Sequence, residues 1–221
     1  MMAWCLPLVA GGLLLGLTAC SDDDNQSGEN SARQAYLSTN AGLYSGGAVV
    51  DNQALRWQLA VTVQGALLTQ YDDRDQASSQ SGEVVEDGLS FADGSRCLAQ
   101  AGGFTCNRDT LALSLSGPTS PDAVTVESLA GSYQLVHGSQ LGSLSLASDG
   151  TLSGQLGECV LGGQLQGSGA LLVLTALADS CGSSDSLGLL LSDSVGSSQH
   201  DVQQVLLPGS PLGGYWVRLA E

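Results

Sequence analysis

Hydrophobic and polar positions divide this chain into three stretches. The first is an apolar run from Trp4 to Gly16, with no charged residue from Trp4 to Ala19. Ser, Asp, Asn, Gln and Gly then dominate to about residue 38, too polar a composition to offset the entropy of ordering. Beyond it, apolar side chains recur mainly every second residue. The clearest case is Leu55, Trp57, Leu59, Val61 and Val63, alternating with Arg56, Gln58, Ala60, Thr62 and Gln64. A period of two gives one buried and one wet face, so this stretch predicts a strand.

Short strands punctuated by turn residues continue to the end. Gln64-Gly65 turns the chain into the run Ala66 to Tyr71, a polar loop follows from Asp72 to Ser81, and strands are expected near 83–85 and 89–91. Ala92-Asp93-Gly94-Ser95 and Ser148-Asp149-Gly150 are hairpin signals. Leu111, Leu113 and Leu115 alternate before Gly117, Pro118 and Pro121 break the chain. The second half runs through Leu144 to Leu156, Cys159 to Leu165, Leu171 to Leu177, Leu187 to Leu191 and Val202 to Leu207, with a break at Pro208 to Pro211. It closes on Tyr215 to Leu219. Ala130-Gly131-Ser132-Tyr133 echoes Ala41-Gly42-Leu43-Tyr44 at a distance of 89 residues, which reads as a weak internal duplication.

No helical period is convincing, so the expected fold is all-β: one antiparallel barrel or barrel-like sandwich of roughly ten strands, because closure removes exposed strand edges. In that reading residues 215–219 pair with the first strand to close the barrel. The domain is expected over 39–221, with 39–121 and 122–221 as two similar halves.

The apolar run is shorter than the ~20 residues that cross a bilayer. A short apolar segment ending in small residues reads as a secretory signal. Its end, Leu17-Thr18-Ala19-Cys20, resembles the lipobox of bacterial lipoproteins. That resemblance implies a cleaved signal over 1–19, acyl chains on Cys20, and a flexible acidic tether over 20–38. Two or more chains, at ~0.8 kcal/mol per buried CH₂, hold a protein stably on a membrane. Ser21 after the cysteine resembles the pattern that sends enterobacterial lipoproteins to the outer membrane, on its periplasmic side or at the cell surface. The remainder of the chain loosely resembles small all-β envelope lipoproteins.

Charge narrows the partners. The chain carries 22 acidic residues against six cationic ones, all arginine, for a formal net charge of −16. Nucleic acid, whose phosphates need cationic contacts, is excluded as a partner. Acidity of this degree serves solubility first and suits a cationic protein or ligand second. In an oxidising compartment Cys97, Cys106, Cys159 and Cys181 read as disulfides. Proximity favours Cys97 with Cys106 and Cys159 with Cys181, each worth about 3 kcal/mol in the chain-entropy view.

Reactive chemistry is sparse. His137 and His200 are the only histidines and neither has a ligand-type neighbour at a useful spacing, so no metal or cofactor is expected. Asp72, Asp73 and Asp75 lack the spacing of a calcium loop and read as solvated. No Gly-x-Ser-x-Gly elbow and no lysine occur. Trp57 and Trp216 are expected in the core, with stacking on a sugar or peptide as their alternative role. The function expected is a noncatalytic binding or structural lipoprotein attached to the membrane through Cys20, its protein or small-ligand partner unspecified. Two alternatives are an inhibitor of a cationic secreted enzyme such as a lysozyme, and a hydrolase with an unrecognised serine.

Overall fold

The alternating stretch around Trp57 becomes the second strand of a closed barrel, and the barrel is complete before the chain is much past its midpoint. A computed structural model describes residues 23–72, 77–119, 124–169, 172–179, 187–193, 202–208, 210 and 212–219. The first barrel runs through β1 (Gly42–Val50), β2 (Gln53–Thr62), β3 (Gly65–Tyr71), β4 (Ala77–Val85), β5 (Gly88–Phe91), β6 (Arg96–Gln100), β7 (Gly103–Arg108) and β8 (Leu111–Thr119). Each strand pairs antiparallel with the next, and β8 returns to β1. A bridge follows, made of β9 (Val124–Thr125) and the one-turn helix α2 (Val126–Leu129).

The second barrel repeats the plan with β10 (Gly131–His137), β11 (Gln140–Leu146), β12 (Thr151–Leu156) and β13 (Cys159–Gln166). After β14 (Ser168–Gly169), which pairs with β9, it continues through β15 (Leu172–Asp179), β16 (Leu187–Asp193), β17 (Val202–Leu206) and β18 (Gly214–Arg218). There are thus two eight-stranded barrels, not one barrel of about ten strands. The closing strand β18 pairs with β10, with Leu135 opposite Trp216, and not with the first strand. The first strand already has its partner, since Leu43 lies opposite Thr119. Two features hid the closure of the first barrel: β4 begins in the Ser- and Gln-rich stretch that reads as loop, and the apolar pattern of β1 is interrupted by Gly46 and Gly47.

Eight strands give an interior that side chains can just fill. In the first barrel Trp57, Leu59, Val61, Leu68, Leu89, Phe104, Leu113 and Leu115 pack in one buried cluster. In the second the cluster holds Tyr133, Leu135, Leu144, Leu152, Leu161, Leu174, Leu190 and Trp216. Burying side chains of this size stabilises by about 1.5–3 kcal/mol each.

Where the sequence is apolar at every residue, both faces of a strand are covered. Leu190 faces the second interior, whereas Leu189 and Leu191 face outward and meet Leu43, Ala60 and Leu67 of the first barrel, together with Val173 and Leu206. The barrels therefore pack wall to wall, β1–β3 against β15–β17, and the unbroken runs Ala66-Leu67-Leu68 and Leu189-Leu190-Leu191 mark the seam.

Most of the stretch expected as a flexible tether, 20–38, lies in helix α1 (Asp23–Thr39). Its last turn explains the correction. Leu37 is fully buried and Tyr36 packs beside it on the first core, so the helix lies across one end of that barrel. Arg33 and Gln34 donate to the carbonyls of Gln64 and Val63 at that same end. Tertiary burial, not composition, holds this helix.

Each barrel opens with the same device. Tyr44 donates its hydroxyl to the carbonyl of Asn40 at 2.9 Å, and Tyr133 donates to the carbonyl of Leu129. Both acceptors lie four residues back at the end of a helix, so the Gly-x-Tyr echo in the sequence is one capping contact used twice. The β5–β6 and β11–β12 turns also match. Asp93 and Asp149 each accept the amide two residues on, from Ser95 and Thr151, both at 2.9 Å. Gly94 and Gly150 take φ of +83° and +88°, which only glycine adopts freely.

Candidate functional site

The interior of each barrel is occupied by its own side chains, which directs attention to the surfaces between and around them. Beside the seam the described residues form a cleft of about 1000 Å³. One wall comes from the start of β4, Ala77 to Ser79. The facing wall is the outer side of β17, β18 and β10, where Gln204, Tyr215 and Val136 lie in register as neighbours across three strands. The rim is built from the His137-Gly138 turn, Gln140, and the loop that carries Pro208, Ser210 and Gly213.

Three of the polar groups here are held within the fold, His137 and Ser210 by the backbone and Ser79 by a side chain. His137 places Nδ1 2.7 Å from the carbonyl of Gly213. A carbonyl can only accept, so Nδ1 donates this bond. Ser210 accepts the amide of Leu212 at 3.2 Å, and the Trp216 indole donates to the Leu212 carbonyl at 3.0 Å, which pins the rim loop to the second core. Ser79 shares a 2.8 Å hydrogen bond with Thr69 on β3. No Asp, Glu, Lys or Arg lines the cleft among the described residues, although the chain as a whole is strongly acidic. Its imidazole faces a backbone carbonyl and not a carboxylate, which is not the arrangement that activates a serine.

Acidic side chains collect elsewhere. In an up-and-down barrel alternate turns share an end, and the turns after β1, β3, β5 and β7 carry Asp51, Asp72, Asp93 and Asp109. This end lies opposite the one covered by α1. Arg108 reaches Gln70 at 2.5 Å and Asp93 at 3.4 Å, and stands 5.5 Å over the ring of Trp57. Partial burial pushes the Asp93 carboxyl up, but the hydrogen bonds from Ser95 and Gln70 outweigh that and bring it down to about 2. Asp51 and Asp109 sit at positive φ, a turn conformation that Asp tolerates, so these acids also serve the backbone. No three His, Cys, Asp or Glu side chains converge as metal ligands among the described residues.

The residues singled out from the sequence fall in several places. Trp57 and Trp216 are both buried in the barrel cores, and neither offers a ring to a sugar or peptide at the surface. Cys97 and Cys106 are bonded, with S–S 2.02 Å, as directly opposed residues of β6 and β7. Cys159 is also disulfide-bonded. Cys181, Cys20 with the apolar run before it, His200, Asp73 and Asp75 lie outside the described residues. Among the described residues no helix is long and apolar enough to cross a membrane.

Tyr215, Gln204, Gln140 and Ser79 are cleft residues that sequence reasoning passed over. One signal could have found Tyr215: in the closing strand Tyr215-Trp216-Val217, alternation puts the Trp inward and the Tyr outward, and an outward aromatic is the informative exception. Neither family models, nor curated proteins, nor solved structures provide a match to this chain.

Proposed function

We propose that this chain is a lipid-anchored envelope lipoprotein with a noncatalytic binding role, held to the outer membrane through Cys20 and presenting the cleft beside the barrel seam to its ligand. The observation that carries the reading is the character of that cleft. It is roomy, has no charged side chain among the described residues, and mixes apolar wall residues with amides, hydroxyls and one imidazole, of which His137 and Ser210 are fixed by backbone contacts. Such groups recognise hydrogen-bonding ligands, whereas acid–base or nucleophilic catalysis needs a charged or activated partner, and none lines the cleft among the described residues. The Leu17-Thr18-Ala19-Cys20 stretch supports the anchor. Its test is metabolic labelling of the full chain in a bacterial host with a palmitate analogue. Label and membrane fractionation are expected for the native chain and lost in Cys20→Ser, and an unlabelled native chain removes the anchor.

The acidic rim of the first barrel favours a second reading, an inhibitor of a cationic secreted enzyme. Four aspartates ringing one barrel end would steer a basic partner, and steering weakens with salt. Purified full chain added to a lysozyme at low and moderate salt is the test, and unchanged hydrolysis at both ends this reading.

A further inference from the structure

We infer that the cleft takes a neutral oligosaccharide, with Tyr215 as the platform on which a sugar ring stacks. This deepens the binding role proposed above and rests on it. Ligand class follows from what the cleft presents and what it withholds.

Tyr215 is 41% exposed although its strand neighbour Trp216 is completely buried. An exposed phenol ring on a β-wall offers an apolar face and a polar tip, the combination that suits a pyranose with its C–H face and ring of hydroxyls. Gln204 and Val136 flank it directly across the two neighbouring strands, so an amide stands beside the ring. His137 adds Nε2 as a further polar atom, its Nδ1 being committed to Gly213. Ser79 faces this group from the first barrel.

Other ligand classes fit less well. Among the described residues no arginine lines the cleft, so an acidic sugar, a phosphate or a fatty-acid head would lose water without gaining a counter-charge. A basic peptide likewise finds no carboxylate among the described lining residues. A neutral peptide is usually captured by adding a strand to an open sheet edge, and both barrels are closed. An acyl chain finds only Val136 and Pro208 partly open, since Leu156, Val205, Leu206 and Leu207 are at most 4% exposed. What remains is a ligand that is uncharged, rich in hydroxyls and flat on one side.

The test is NMR titration of the isotope-labelled full chain in zwitterionic micelles. The probes are maltohexaose, cellohexaose, chitohexaose and laminarihexaose, beside a polygalacturonate oligomer, a Gly/Ser/Gln hexapeptide and laurate. At least one neutral hexasaccharide is expected to shift the Tyr215, Gln204 and His137 resonances. Tyr215→Ala should then weaken binding by about ten-fold, while Tyr215→Phe keeps it within about two-fold. Melting curves of both variants establish that they fold, and Gln204→Ala supplies a milder second loss. The assignment falls if no neutral hexasaccharide shifts these residues, or if Tyr215→Ala binds as the native chain does. Shifts from the hexapeptide or laurate alone also overturn the sugar while leaving a binding role in place. Loss of the lipid at Cys20 would remove the anchor and leave the sugar site standing.

Discussion

The two barrels share one frame and differ in where they keep their chemistry. Both have eight strands, both begin at a glycine followed two residues on by a tyrosine that holds a helix end, and both use an Asp-Gly turn of one geometry. The first is stapled by Cys97–Cys106, covered at one end by a 17-residue helix and ringed by aspartates at the other. The second has only the four-residue α2 at the matching place, buttressed by Arg218, which donates to the carbonyls of Ser128 and Ala130. On β10 to β13, β17 and β18, the outward positions carry Ser, Gln, Thr, Gly and apolar residues and no charge at all. Equal scaffolds thus tolerate opposite surfaces, because the interior fixes one parity of each strand and leaves the other parity and the turns to vary.

The sharpest way to break the comparison is to empty each core in turn. Trp57→Ala and Trp216→Ala should each cost about 3–5 kcal/mol, read by chemical denaturation. Hydrogen exchange should show the loss centred in the barrel that carries the change. Trp216→Ala is expected to cost more, since its indole also holds the rim loop at Leu212. Next comes the staple. Removing both Cys97 and Cys106 by substitution with Ala should destabilise by about 2–3 kcal/mol, given a separation of nine residues, and exchange should rise in β6 and β7 with the second barrel unchanged.

The shared tyrosine device gives a closer comparison. Tyr44→Phe and Tyr133→Phe each leave a helix-end carbonyl without its donor, at about 1–2 kcal/mol. The loss at Tyr133 should be the larger, because that residue is fully buried and Arg218 lies over its ring. The smallest effect separates the two Asp-Gly turns by pH. Asp93 has a folded-state value near 2, below the ordinary 3.8, so its contribution is full above about pH 4 and is lost as pH falls toward 2. Asp149 is lowered in the same direction by the amide of Thr151 but is open to solvent. Denaturation midpoints between pH 4 and 2 should therefore respond more to Asp93→Asn than to Asp149→Asn.

Local structure was legible wherever one strand face is buried and a turn has special chemistry. The strand from Leu55 to Val61, the two Asp-Gly turns and the Cys97–Cys106 hairpin follow from periodicity, φ preference and chain proximity, whereas Val63 lies past the strand and is exposed. The barrel count did not, because closure is a long-range pairing. Nothing local in Thr119 says that it will lie opposite Leu43. Helix α1 escaped for the same reason: its sequence is unfavourable alone, and Leu37 gains its burial only once the barrel end exists. The cleft was the least legible feature. Ser79, Gln204, Tyr215 and His137 are ordinary outward or turn residues in their own strands, and they converge only because Leu43, Ala60 and Leu67 seat one wall on another.

In each barrel the strand that enters lies against the strand that leaves, Leu43 opposite Thr119 and Tyr133 opposite Arg218. Each unit is consequently a ring cut at a single seam. Joining its old ends with a short linker and opening it at an exposed turn, such as Gly138-Ser139, would preserve every strand pairing. The same layout lets a chain grow or shrink by whole units without disturbing the pairings already made, a route by which one ancestral ring could have become two.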